Sequence, residues 1–169
     1  MKVQPLKLDL ACGKLCAPGF LGVDYWYKDV DFIVDLRTYP WPWDDSSVGE
    51  IRCNHYIEHI MPAEIEHGGV TKDSLAAFMD EAFRVLKVGG VLSIVVPDGL
   101  SVRGMADFTH RRWFTAESFL YFNAGWRREN GLEYYPISCD FKVAVNYTTM
   151  NGSKEVCDWF ATLTSLKGV

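Results

Sequence analysis

Leu8-Asp9-Leu10-Ala11-Cys12-Gly13 and, a short link later, Phe20-Leu21-Gly22-Val23-Asp24 are apolar runs that each stop at a glycine turn or an acid. Continuous apolar runs that end at a polar residue suit strands of a buried parallel sheet. Asp31-Phe32-Ile33-Val34-Asp35, Ile51-Arg52-Cys53-Asn54 and the run Val91–Val96 continue the series. Between the last two, Leu75, Phe78, Met79, Ala82, Phe83 and Leu86 share one face at helical spacing. Asp73 stands where an N-cap belongs, and Gly89-Gly90 is expected to end the helix in left-handed geometry. A shorter helix is expected from Ala116 to Asn123, behind Thr115. Near the end, Lys142–Thr149 and Val156–Leu163 have strand composition around Asn151-Gly152, a strong hairpin signal. A helix over Glu155–Leu163 is the alternative, because that stretch does not alternate cleanly. The order of elements predicts an α/β fold: a mostly parallel sheet closed by a C-terminal antiparallel hairpin.

Composition bounds the rest. The 169 residues fit one domain, 1–169, and 49% apolar content supplies a core with no sign of disorder. A net charge of -5 argues against nucleic acid or an anionic membrane as the partner. The five cysteines are scattered and lack the spacing of a zinc site, so reduced thiols and no metal are expected. No apolar run approaches the roughly 20 residues that span a bilayer. A charged, strand-like segment begins almost at once, with no leader pattern, so the expected location is cytoplasmic.

In an open parallel sheet, ligands bind beyond the carboxyl ends of the strands. Here three successive ends carry acids: Asp9 beside the Cys12-Gly13 turn, then Asp24, then Asp35. One carboxylate after the second strand can accept hydrogen bonds from both hydroxyls of a ribose. A further acid suits an exocyclic amine such as adenine's. Any single Asp here has a plain explanation as a turn residue; three in succession shift the balance. The phosphate-binding G-x-G-x-x-G pattern is absent, which counts against dinucleotides and nucleoside triphosphates.

These residues resemble the motifs of class I S-adenosylmethionine-dependent methyltransferases. Leu8–Gly13 and Gly22-Val23-Asp24 are similar to the family's first two motifs. Asp35-Leu36 followed by Trp41–Val48 is similar to its acid and the turn before the fourth strand. Asn54-His55-Tyr56-Ile57-Glu58-His59-Ile60 resembles the segment where small-molecule methyltransferases carry a Glu-His pair, and Phe83–Gly90 with Val96-Pro97-Asp98 its helix and fifth strand. The resemblance implies a Rossmann-like, minimal methyltransferase fold with S-adenosyl-L-methionine as cofactor. It implies that Asp9, Ala11, Cys12 and Gly13 flank the methionine moiety and that Asp24, with Tyr25 beside it, binds the ribose. Asp35 and Leu36 would contact the adenine, with Asn54 and His55 beneath the cofactor. The implied activity is methyl transfer to oxygen or nitrogen of a small-molecule or glycan-like acceptor. A cofactor-binding module without turnover, or a non-catalytic partner subunit, stands as the alternative.

Two departures have physical consequences. The glycine loop keeps only Gly13, with Ala11 and Leu15 where glycine is frequent. The Gly13–Phe20 link also has no room for a crossover helix, which Pro18-Gly19 would break. About six extended residues reach roughly 20 Å, just enough to return along a short strand. A sheet face without its helix is therefore expected, covered by Trp26, Tyr27, Tyr39, Trp41 and Trp43 or by a second copy in a homodimer.

For proton transfer, His59 is the leading base, since imidazole exchanges protons near neutral pH. Glu58 would orient it or touch the cofactor. His110, in Asp107–Thr115, is a second base or a substrate contact, and the adjacent Arg111 and Arg112 are an anion site or a solvated pair. His67 reads as a loop residue.

Overall fold

The computed structural model describes residues 4–149 and 157–168. Among the described residues nine strands form: β1 (Leu6–Leu10), β2 (Leu21–Asp24), β3 (Phe32–Ile33), β4 (Val48–Asn54), β5 (Glu64–His67), β6 (Val70–Asp73), β7 (Leu86–Pro97), β8 (Phe141–Thr149) and β9 (Cys157–Ser165). The α-helices are α1 (Ser74–Val85), α2 (Val102–Ala106) and α3 (Ala124–Glu129), and Ile57–His59 and Ala116–Phe122 are 3-10 turns. Seven strands make one sheet in the order β3-β2-β1-β4-β7-β9-β8, while β5 and β6 form a separate hairpin. The first five pair in parallel; β9 runs antiparallel to both β7 and β8. The expected α/β architecture is thus present, and residues 157–163 are strand, not helix. The Asn151-Gly152 turn lies outside the described residues.

α1 forms where its apolar stripe and cap predict. The Asp73 carboxylate accepts the Leu75 amide at 2.8 Å, and Phe78, Met79, Ala82 and Val85 face the core. Its end differs from expectation: Leu86 already has extended backbone, and β7 starts there. Leu86 pairs with Val48, while Val91 pairs with Glu50, so a bulge absorbs the residues between. Gly89 does take a left-handed φ of 67°. It serves that bulge and not the helix cap. Likewise His67 is no loop residue. It ends β5, Gly68 and Gly69 make the two-residue turn with φ of 62° and 75°, and β6 returns.

The link between β1 and β2 holds no helix, as its length requires. The consequence for the sheet is other than expected. One row across it reads Leu21, Leu8, Ile51, Leu92, Leu163, Val143, and the next on that face Val23, Leu10, Cys53, Ile94, Ala161, Val145. This face makes one core cluster with Phe78, Met79, Phe119, Phe122 and Phe141. The row between them points oppositely and reads Gly22, Asp9, Arg52, Ser93, Thr162, Ala144. Lys7 and Glu50 pair on that side at 2.7 Å.

The middle of this second face is therefore polar, with Val95 and the partly exposed Phe160 in the row beyond it. The middle of the face needs no aromatic cover. Trp41 and Trp43 instead enter the core, Trp41 packing edge-on against Phe78 of α1 at 5.2 Å. The arrangement needs little else to hold the link down. The Ala17 amide donates to the buried Asp9 carboxylate at 2.8 Å, and Arg52 lies 3.6 Å from it.

Candidate functional site

Strand order reverses between β1 and β4, which places a crevice at their carboxyl ends. A cavity of about 400 Å³ lies there, within the size range of small-ligand sites. Ala11, Asp24, Tyr25, Asp35, Leu36 and His59, all read from the sequence, line it. Asp9, Cys12, Gly13, Asn54, His55, Glu58 and His110 do not line it. Among the described residues, the lining also includes Trp26, Arg37, Tyr39, Tyr56 and Met61. Arg37 stands beside the strand-end acid Asp35; Trp26 reads from the sequence as a pocket wall or as cover for the sheet, and Tyr39 as cover.

Backbone geometry at two strand ends is unusual. Ala11 after β1 and His55 after β4 hold φ of 52° and 51°, a left-handed conformation uncommon outside glycine. Both turn the chain sharply at the crevice mouth. Strain of this kind concentrates at ligand sites, and Ala11 explains why glycine suits its position.

Asp24 is already engaged by backbone. One oxygen accepts the amides of Trp26 and Tyr27, both at 2.8 Å, and the other accepts Gly13 at 3.0 Å. The carboxylate thus ties the turn after β1 to the turn after β2. An ionised carboxylate has about four lone-pair directions, so one remains for a ligand. Asp35 is clamped bidentately by Arg37, with Nε to Oδ1 and Nη2 to Oδ2 both 2.8 Å. That guanidinium holds its carboxyl below the usual range. Asp9 moves the other way. Burial pushes its carboxyl up, against the Ala17 amide and Arg52. Burial also raises the Cys12 thiol, to about 11, leaving it an unreactive neutral group beside the turn.

Beyond β4 a second cluster forms. The Glu58 carbonyl accepts the amides of Arg111 at 2.8 Å and Arg112 at 3.1 Å, fastening the Asp107–Thr115 loop to the Ile57–His59 turn. This brings the His59 and His110 rings within 4.9 Å of each other. His110 is buried, and its Nδ1 donates to the Gly104 carbonyl at 2.8 Å. Glu58 is 2% exposed. His55 Nδ1 meets its Oε1 at 3.3 Å, while Oε2 has no hydrogen-bond partner among the described residues. On its other side His55 reaches Arg103 of α2 at 3.3 Å, so its ring braces this cluster. Of the two arginines weighed as an anion site, Arg112 is tied to Asp73 at 2.9 Å and to the Ile60 carbonyl at 2.9 Å. Arg111 donates to the Phe108 carbonyl at 2.8 Å.

Gly104 fixes the His110 side of this cluster, because a Cβ there would overlap the Asp98 carbonyl oxygen. Backbone cannot yield as a flexible side chain does. Gly104→Ala is expected to lower stability by about 1–3 kcal/mol, read as a shift in the urea unfolding midpoint with unchanged slope.

No protein-family model matches the chain, and no curated protein matches it in sequence. Solved structures do. An S-adenosylmethionine-dependent methyltransferase from Archaeoglobus fulgidus superposes with a TM-score of 0.61 at 14% identity, over 95% of this chain and 86% of its own. One from Methanosarcina mazei gives 0.57 at 13% identity, over 97% and 94%. Phosphoethanolamine N-methyltransferase 2 of Haemonchus contortus, solved with S-adenosyl-L-methionine, gives 0.57 at 13% identity, over 98% of this chain and 49% of its own. The fold is thus that of the class I methyltransferases. Among the described residues no helix is long and apolar enough to cross a membrane.

Proposed function

We propose that the protein binds S-adenosyl-L-methionine in the cavity at the carboxyl ends of β1, β2 and β3 and transfers its methyl group to an oxygen or nitrogen of a small-molecule or glycan-like acceptor. The observation that carries the proposal is a single cavity lined both by the strand-end acids Asp24 and Asp35 and by His59. The first two suit an adenosine; the third stands where an acceptor's proton can go. Donors fit as well as volume does. The cavity is walled mainly by apolar and aromatic side chains, and among the described residues no lysine lines it to meet a phosphate.

In this reading the remaining acceptor position of Asp24 takes one ribose hydroxyl, while Leu36 and Val34 flank the adenine, with Asp35 beside its amine. Ala11, Cys12 and Gly13 pass close to the methionine end. Tyr25 and Tyr56 close the sides. The reaction asks little covalent help of the protein. A lone pair of the acceptor attacks the methyl carbon, the carbon–sulfur bond breaks, and its electrons return to sulfur, leaving S-adenosylhomocysteine. The acceptor's proton leaves to His59 or to water. Alignment and exclusion of water supply most of the rate.

The test is transfer of label from methyl-labelled S-adenosylmethionine into fractionated small-molecule extract and into a panel of hydroxyl and amine acceptors. Label is expected in a small-molecule fraction, and to fall at least about 100-fold in His59→Ala if that ring handles the proton. Tight cofactor binding with no label in any fraction would favour the non-catalytic alternative.

A further inference from the structure

Glu58, His59 and His110 each place one ligand atom within 4.8 Å of the other two, and we propose that these three side chains bind a divalent transition-metal ion of the Zn²⁺ class. Two imidazoles with one carboxylate are a donor set that suits such ions and leaves coordination positions open.

The hydrogen bonds around the cluster fix which atoms are offered. The Gly104 carbonyl only accepts, so His110 Nδ1 carries the proton and Nε2 keeps its lone pair. Thr109 has one hydroxyl hydrogen, and it goes to the Asp107 carboxylate at 2.6 Å. The Thr109 oxygen therefore accepts from His59 Nδ1 at 3.1 Å, which leaves the His59 Nε2 lone pair free in the same way. Both rings are held in the tautomer that metal-binding histidines adopt, with the second nitrogen donating to an oxygen of the protein.

Glu58 completes the pattern. Arg103 donates to His55 Nε2, so His55 Nδ1 carries a proton toward Glu58 Oε1. The other oxygen, Oε2, is buried and has no hydrogen-bond partner among the described residues. A carboxylate 2% exposed with one oxygen unsatisfied is costly to keep. A cation between it and the two rings removes that cost. Asp107 Oδ2, 3.7 Å from His110 Nε2, is a further oxygen at the rim. Ligands at ~2.1 Å from a tetrahedral ion stand about 3.4 Å apart. The three atoms would thus close in slightly on loading. His59 also lines the cavity, so an open coordination position would face the acceptor's side.

Metal binding itself stands on these side chains alone; only its use in catalysis rests on the methyl-transfer reading. With an ion bound, His59 and His110 are ligands, and an oxygen of the acceptor is the group recruited.

The experiment is titration of the metal-free protein with Co²⁺, followed by its visible d–d absorption, with Zn²⁺ as competitor. Saturation at one ion per chain is expected, without the near-ultraviolet band of a thiolate ligand. His59→Ala and Glu58→Gln should each weaken binding by more than the roughly 10- to 100-fold that loss of an outer hydrogen-bond partner costs. The double variant Cys12→Ser, Cys16→Ser should bind as the parent does. Circular dichroism confirms that each variant is folded; Glu58→Gln preserves shape should His59→Ala not fold. Absence of saturable Co²⁺ binding, or binding lost in the cysteine variant and kept in His59→Ala, would overturn the proposal. Calorimetry with S-adenosylhomocysteine on the same metal-free sample separates this outcome from failure of the cofactor reading.

Discussion

Asp24→Ala is expected to lower affinity for S-adenosylmethionine by roughly 10- to 150-fold, since one hydrogen bond to a charged group contributes about 1.5–3 kcal/mol. The side chain acts twice. It offers a lone pair into the cavity, and it holds the turns after β1 and β2 together through the amides of Gly13, Trp26 and Tyr27. Removing it takes away the ribose acceptor and releases three amides at once. Asp24→Asn separates the two roles. Its one remaining carbonyl oxygen can keep the Trp26 and Tyr27 amides, but its NH₂ repels Gly13 and offers no acceptor to a diol. Calorimetric titration of both variants is the check, with thermal melting to establish that each is folded. Unchanged affinity in folded Asp24→Ala would remove the ribose assignment.

The second large effect concerns stability. Glu81→Ala is expected to cost about 3–5 kcal/mol, the range for breaking a buried charge from its partners. Glu81 is fully buried. It accepts the Trp41 amide at 2.6 Å, both Nε and Nη2 of Arg84 at 3.0 and 2.6 Å, and His67 Nε2 at 2.9 Å. One side chain thereby joins α1, the β5–β6 hairpin and the Trp41 segment. Burial pushes its carboxyl up, but the hydrogen bonds from Arg84, His67 and Trp41 outweigh burial and hold it below its ordinary 4.5. A folded value below the unfolded one means stability present above about pH 4.5 and lost as pH falls through the folded value. Urea midpoints measured from pH 7 down to pH 3 should therefore fall less in the variant than in the parent. Parallel declines would show that the carboxylate stays ionised no more readily in the folded chain.

Much of this was legible in the sequence. Apolar runs ending in the Asp9–Gly13 turn, Asp24 and Asp35 located β1 and β2 and the crevice, and the Leu75–Leu86 stripe located α1. β3 shrank to two residues, and the strand rows hid a regularity. Asp9, Arg52 and Ser93 stand in register across three strands and form a polar row on the second face. Register is a property of pairing, and no single strand displays it. Gly68-Gly69 was a readable hairpin turn, but its flanking strands are short and mostly polar, so neither drew notice.

The candidate site was less legible for a related reason. The residue types were readable, but the loops decide how much of each carboxylate is left for a ligand. Asp24 spends three acceptor positions on amides of residues 13, 26 and 27, and Asp35 spends both oxygens on Arg37. Nothing in spacing announces such bonds. His55, expected beneath the cofactor, turns to Glu58 and Arg103 because its backbone is left-handed. His59 and His110 are distant in sequence and meet only because the Glu58 carbonyl captures the amides of Arg111 and Arg112.

The central claim is that the crevice at the carboxyl ends of β1, β2 and β3 is a site for S-adenosylmethionine. Isothermal titration of the purified protein with S-adenosylhomocysteine tests it most directly. The expected result is saturable binding of one ligand per chain, in the micromolar range or tighter, and weakening of that binding in Asp24→Ala. Absence of saturable binding to folded protein at millimolar ligand would contradict it.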